Sequence, residues 1–389
     1  MHAVARGSSE DIPSGVATAV GGNTQFALDL YQTQRAAPGN LFFSPYSISV
    51  ALAMTYGGAR GETAAQMARA LHFDLGPQDL HPAFAGLEAR LAEVGRQGAV
   101  QLHVANRLWP HQDYPFLEEY LALVKQFYGV LLTPLDYRRA EAARQTINAW
   151  AEEQTEHKIR DLIPAGILDA LTRLVLTNAI YFKGNWASQF KASLTRREPF
   201  WVTPGNTVQV QMMAQEREFG YAETDGLQVL ELPYVGDNLS MIVLLPRERD
   251  GLAGLEDALT AKNLSQWAAR LGKEEIEVFL PRFEVTYAVR LDATLRSMGM
   301  TDAFSARADF SGMDGARLLT IGAVLHKAFV VVNEEGTEAA AATAVLAKAL
   351  GLPRPAPLFR ADHPFLFLIR EKRTGSILFL GKVVNPVES

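Results

Sequence analysis

Apolar residues recur at helical spacing in the early part of the chain, and strand-like runs take over later. Asn23 stands as the cap of a first helix through Phe26, Leu28 and Tyr31, with residues 1–22 left as an N-terminal extension. Ser44 followed by Pro45 opens a second helix through Ile48, Leu52 and Met54, because proline at the first helical position loses only an N–H that has no partner there. Gly57-Gly58 end it, and a short helix follows over 63–71. Residues 100–109 alternate as a strand, and 116–127 and 141–159 form amphipathic helices. Residues 174–182 are almost continuously apolar, as in a strand covered on both faces. Hairpins are predicted around Gly236-Asp237, between 229–233 and 239–246, and around Thr374-Gly375, between 365–369 and 377–384. Residues 276–289 alternate as one further strand. Helices first and strands later predict an α+β fold with large mixed sheets.

The 389 residues, 48% of them hydrophobic, suffice for a large core. Length alone suggests about two domains, but no repeat or linker divides the chain. Charged residues make up 21% and the net charge is −6, with no run of five like charges, so binding to nucleic acid or to an anionic membrane is not expected. The longest apolar runs, such as Met241–Pro246, are strand-length, too short for a membrane span. The absence of cysteine removes disulfides, thiolate metal sites and cysteine nucleophiles together. Asp11, Pro13 and Ser14 interrupt any leader-like stretch, and with the high alanine and arginine content this suggests a prokaryotic source. No Gly-x-Ser-x-Gly or His-Glu-x-x-His motif marks a hydrolase.

Residues 334–357 break these rules. Four consecutive alanines, Ala339 to Ala342, lie in a first half of small side chains, and Pro353, Pro355 and Pro357 exclude the second half from a central strand. An alanine-rich helix followed by a proline-rich linker is one reading. At strand spacing, Thr337, Ala339, Ala341, Thr343 and Val345 share one small face, and Glu338, Ala340, Ala342, Ala344, Leu346 and Lys348 share the other. A segment compatible with both a loop and an inserted strand has what a switch requires.

Over its length, from about Asn23 to Pro386, the chain resembles a serpin. The resemblance is carried by Asn40 to Ile48, by Thr177 to Trp186, by His326-Lys327-Ala328 leading into the hinge Asn333 to Ala341, and by Asp362 to Phe365 with Phe379 to Pro386. It implies a single domain over residues 23–389 with three β-sheets, eight or nine helices and an exposed reactive loop at 334–357. It also implies a suicide inhibitor of serine proteases that needs no cofactor: the protease forms an acyl-enzyme with the loop, which inserts into the central sheet and carries the protease along. Counting fourteen residues on from the hinge glycine Gly336 puts the scissile bond at Leu350–Gly351, with Lys348 and Arg354 as rival baits for a trypsin-like enzyme. Leucine at the cleaved position suits chymotrypsin-, elastase- or subtilisin-like proteases. Fourteen strand residues give a travel of roughly 45 Å, and about a dozen new ladder bonds give on the order of 10 kcal/mol of drive.

The resemblance further assigns the hinge to Glu334, Gly336, Thr337, Glu338, Ala339, Ala340, Ala341, Ala342 and Thr343. It assigns a polar cluster where the central strands part to Ser44, Ser47, Asn178 and His326, and a breach at the sheet's top to Trp186, with Glu334 paired to Arg282. The small hinge residues point to an inhibitory member and not to a carrier. Arg90 and Arg96 are offset by Glu88 and Glu93, so heparin is not expected to act. The protein is expected to work as a monomer able to form loop–sheet polymers. The family suggests the extracellular space, and the lack of a visible leader suggests the cytoplasm.

Overall fold

The computed structural model describes residues 12–96, 100–130, 132–224, 226–337 and 356–388. In chain order these form α1 (Ser14–Gln34), β1 (Leu41–Phe43), α2 (Pro45–Tyr56), α3 (Gly61–Leu71), α4 (Pro77–Arg96), β2 (Val100–Pro110), α5 (Glu118–Tyr128), α6 (Ala140–Gln154), β3 (Leu174–Asn185), β4 (Arg196–Thr203), β5 (Asn206–Thr224) and β6 (Leu227–Pro233). There follow β7 (Leu239–Pro246), α7 (Leu252–Ala258), α8 (Ala261–Ala269), β8 (Gly272–Pro281), β9 (Phe283–Arg290), α9 (Asp292–Ser297), α10 (Ser311–Asp314), β10 (Ala323–Val332), β11 (Gly336–Thr337), β12 (Leu358–Arg360), β13 (Phe365–Glu371) and β14 (Ile377–Val383).

Helix α2 is the centre of the molecule. The Ser44 hydroxyl accepts from the Ser47 amide at 3.1 Å, Pro45 occupies the first position, and every residue to Tyr56 is buried. A helix buried all round carries no polar stripe and can only sit between other layers.

Two hydrogen-bonded sheets surround it. The five-stranded one contains β2, β3, β10 and β9 side by side, with β11 also on β3. The nine-stranded one runs β1-β14-β13-β7-β6-β5-β8-β12, with β4 on β5. The expectation of three sheets counted its two halves separately: the long β5 pairs with β4 and β8 along most of its length and with β6 only from Gly220, so one strand turns from one half into the other. Ten α-helices are found among the described residues, against eight or nine expected, because short turns such as Ser311–Asp314 count as helices.

The N-terminal boundary needs correction. Helix α1 begins at Ser14, and Val16, Ala19 and Val20 are already buried, so residues 14–22 belong to the domain and not to an extension. Asn23 is not a cap but a buried position inside the helix, donating to the Ile377 carbonyl at 3.0 Å. The Gly21-Gly22 pair concealed this continuation; a Cβ on Gly22 would lie 2.1 Å from the His72 carbonyl oxygen, so glycine serves a close packing contact there. The alternating stretch 276–289 is likewise two strands. It breaks at Pro281-Arg282, β8 joining the nine-stranded sheet and β9 the five-stranded one.

Candidate functional site

The seam between β3 and β10 carries the candidate site. These parallel strands are paired from Val175–Ala323 to Tyr181–Phe329. Above that rung β10 leaves β3, and Val330 to Val332 pair with β9 alone. The gap is entered by β11, with Gly336 opposite Asn185 and Thr337 opposite Gly184 in antiparallel register. The sheet is therefore closed below and wedged open at the top by the hinge residues Gly336 and Thr337. Alternate residues of β3 face different cores: Leu174, Leu176, Ile180 and Phe182 join the main core, whereas Val175, Ala179 and Tyr181 face α6 with Trp109 and Ile147.

Halfway down the seam, Asn106 of β2, Asn178 of β3 and His326 of β10 form one rung across three strands. All face the N-terminus of α2. Asn178 donates to the Ser47 hydroxyl at 2.5 Å and to Asn106, and its carbonyl oxygen accepts from His326 Nδ1. The Ser44 amide donates to His326 Nε2 at 3.2 Å, which assigns the proton to Nδ1. Asn106 completes the cluster, accepting from the Ser47 hydroxyl at 3.0 Å and donating to the Ser47 carbonyl at 3.2 Å. The structure thus brings Ser44, Ser47, Asn178 and His326 together and adds Asn106. Its signal was a polar residue on the otherwise apolar face of β2, beside Val104 and Leu108.

Burial pushes His326 down to about 3 and His81 down to about 4. Above pH 6.5 both are neutral in the folded and unfolded chain. Below it the unfolded chain takes up protons that the native sites refuse, so stability falls as pH drops through that window. For His326 alone the loss is on the order of 4 kcal/mol by pH 3. The wild-type melting temperature is expected to fall more steeply between pH 6.5 and 4 than that of His326→Gln; parallel slopes would clear this histidine of the effect.

At the top of the seam, Trp186 stacks on Tyr234 with ring centroids 4.7 Å apart and donates its indole N–H to the Asn333 carbonyl at 3.0 Å. The Trp186 amide and the Gln189 side chain both donate to the Glu335 carbonyl, at 3.0 and 3.2 Å, and the Phe190 amide donates to the Glu334 carbonyl at 2.9 Å. Asn333 Oδ1 accepts from the Glu335 and Gly336 amides at 3.1 and 3.3 Å. Arg282 reaches Glu334 through Nε at 2.9 Å and Nη2 at 2.5 Å, and the Thr195 hydroxyl donates to the same oxygen. Burial opposes ionisation of Glu334, but the bonds from Arg282 and Thr195 outweigh it and hold the carboxyl below its ordinary value. Because Glu334 is buried while Arg282 stays 45% exposed, the pair is worth more than a surface bridge, on the order of 1 kcal/mol. Glu334→Ala is expected to raise the latent or polymeric fraction after warming. A fraction equal to wild type would show that the pair does not hold the hinge. Thr195 and Gln189 escaped the sequence reading, which had no means of placing the connection between β3 and β4 against the hinge.

The remaining hinge positions, Glu338, Ala339, Ala340, Ala341, Ala342 and Thr343, and the bond Leu350–Gly351 lie outside the described residues. Among the described residues no helix is long and apolar enough to cross a membrane, and no group of three metal-ligating side chains is found.

A closed parallel pair wedged open by its own hinge is the geometry expected of a strand-inserting inhibitor. The family model described as Serpin (serine protease inhibitor) matches residues 21–386. The chain belongs to the serpin family. It is accordingly a protease inhibitor and not a catalyst. Its relatives include the leukocyte elastase inhibitor of Bos taurus, 46% identical over 375 residues with 94% of this chain and 98% of the relative covered. The Homo sapiens protein of that name is 45% identical over 377 residues, with the same shares covered. Among solved structures, uncleaved ovalbumin superposes with a TM-score of 0.86 at 33% identity, covering 94% of this serpin and 100% of that chain. Human thyroxine-binding globulin gives 0.87 at 33%, covering 96% and 100%. The named relatives are mammalian and lend the prokaryotic source no support.

Proposed function

We propose that this serpin traps serine proteases as a suicide substrate, with Leu350–Gly351 as the bait bond and β3–β10 as the seam that receives the loop. The protease serine oxygen attacks the Leu350 carbonyl, the bond to the Gly351 nitrogen breaks, that amine takes the proton, and an ester joins the two proteins. The freed loop then enters the seam. The observation that carries the reading is the hinge pairing of Gly336 and Thr337 with Asn185 and Gly184 above a ladder that has yet to open.

The same register supports the rest. Antiparallel partners share a face, so continuing the pairing sets Ala339, Ala341, Thr343 and Val345 opposite Phe182, Ile180, Asn178 and Leu176, on the main-core side. Thr343, the one hydroxyl among these alanines, meets Asn178 at the rung that His326 must leave. A hydroxyl there can take up the hydrogen bond the histidine gives up, so the buried cluster stays satisfied after insertion.

Leu350 and the named elastase-inhibitor relatives together support an elastase- or chymotrypsin-like target. The test is a denaturing gel after mixing with elastase, chymotrypsin, subtilisin and trypsin, with the mass of the released C-terminal fragment. A complex that survives denaturation and a fragment beginning at Gly351 are expected. Cleavage without complex would leave the loop a mere substrate.

Heparin is expected to leave the inhibition rate unchanged within about twofold, because α4 offers no open cluster of cations. Arg90 pairs with buried Glu371 at 2.9 Å and Arg96 with Glu93. A large salt-sensitive acceleration would contradict this. The reading takes the working form to be a monomer, with loop–sheet polymers as its misassembled state.

A further inference from the structure

Leu171 and Leu318 are each 77% exposed, more than any other large hydrophobic residue among the described residues. Leu171 lies just before β3 and Leu318 just before β10, and these strands run parallel with Val175 opposite Ala323, so both leucines sit at the same, lower end of the seam. The two loops are side by side: the Gly322 amide donates to the Leu174 carbonyl at 3.1 Å, and Thr172 Cγ2 is 3.6 Å from where a Cβ on Gly322 would be. Leu171 occupies a built turn. Its amide donates to Asp169 Oδ1 at 2.9 Å, and Arg173 Nη1 donates to the Ala170 carbonyl at 3.0 Å, so the turn holds an apolar side chain out to water. A single exposed leucine is ordinary. Two at one end of the seam, with Arg173 and Arg317 beside them in sequence, match the apolar centre and polar rim of an interface.

The hinge register says what arrives there. Gly336 pairs with Asn185, so β3 runs out at Leu174 opposite residue 347, and Leu350 would lie three residues further on. At ~3.3 Å per residue that is roughly 10 Å past the end of the strand. What hangs on Leu350 at that moment is the acylated protease. We propose that Leu171 and Leu318 form the apolar seat for the trapped serine protease, contacting an apolar patch on the rim of its active site and slowing its release. This rests on the trapping reading above. Release is hydrolysis of the ester: water adds at the Leu350 carbonyl, the Leu350 carboxyl is freed, and the serine regains its hydroxyl.

The test is the double variant Leu171→Ser/Leu318→Ser against elastase or chymotrypsin, with Val387→Ser, exposed at 58%, as a control for losing an apolar surface residue. Melting temperature of the free inhibitor and rate of complex formation are expected to match wild type. Return of protease activity from the purified complex is expected to be about tenfold faster, the effect of losing an interface anchor. Return at the wild-type rate, or equal acceleration by Val387→Ser, would overturn the seat. Reduced self-association by gel filtration with unchanged release would also overturn it, giving the patch to a second copy of the chain. If wild type itself forms no covalent complex, the trapping reading fails first, and that result is seen before any variant is compared.

Discussion

Gly336→Val is expected to turn the inhibitor into a substrate. Gly336 sits at φ 149°, in a region that side chains disfavour, at the first rung between hinge and β3. A Cβ there would lie 2.1 Å from the Gly184 oxygen, 2.6 Å from Asn185 Cα and 2.9 Å from the Trp186 nitrogen, all backbone atoms with nowhere to go. The variant therefore loses the rung from which insertion propagates, while the bait bond fourteen residues away stays available. After acylation two steps compete, insertion and hydrolysis. Raising the insertion barrier by the 1–3 kcal/mol typical of such strain shifts that competition by roughly 5- to 150-fold. Titration of active protease should show the number of inhibitor molecules consumed per enzyme rising accordingly, with cleaved loop accumulating on the gel. A variant that still inhibits mole for mole would show that insertion does not start at this rung.

Asn178→Ala is expected to give the largest loss of stability. Asn178 is buried and bonds to Ser47, Asn106 and His326, so its removal breaks three buried hydrogen bonds at once and leaves His326 Nδ1 without a partner. Leaving the buried His326 N–H unsatisfied costs about 1–3 kcal/mol, and each of the other two lost hydrogen bonds about 1 kcal/mol net. Discounted for relaxation and water entry, the total is still several kcal/mol, which lowers the melting temperature by roughly 5 °C for a chain of this size. The damage also has a direction. The lost bonds tie β3 to β10 through His326 and both strands to α2, so the seam parts more readily and accepts a loop from a second molecule. Gel filtration after warming should show polymers appearing at temperatures where wild type stays monomeric. A variant that melts with wild type and forms no polymer would mean the cluster does not hold the seam closed.

Much of this site could be read from local sequence, and what could not shares one cause. Ser44 with Pro45 announced α2, the apolar run of β3 announced a strand covered on both faces, and the small residues after Gly336 announced a segment with two resting places. Each is a signal within a dozen residues. Asn106 joins the cluster only because β2, β3 and β10 align it in one rung with Asn178 and His326, residues far apart in the chain. Thr195 and Gln189 meet the hinge only because two loops cross there. The corner at Arg282 was invisible because hydrophobic alternation continues through it while the backbone passes from one sheet to the other. The start of α1 was hidden by Gly22, whose role is to let the His72 carbonyl approach.

The account stands or falls on whether the loop enters the seam. Nicking the loop with a protease that cleaves without being trapped, then melting the product, asks this directly. A dozen new ladder bonds on the order of 10 kcal/mol in total predict a rise of at least about 10 °C in melting temperature for a chain of this length. Unchanged stability after complete cleavage would mean that the seam stays closed, and the protein would then be a non-inhibitory member of its family.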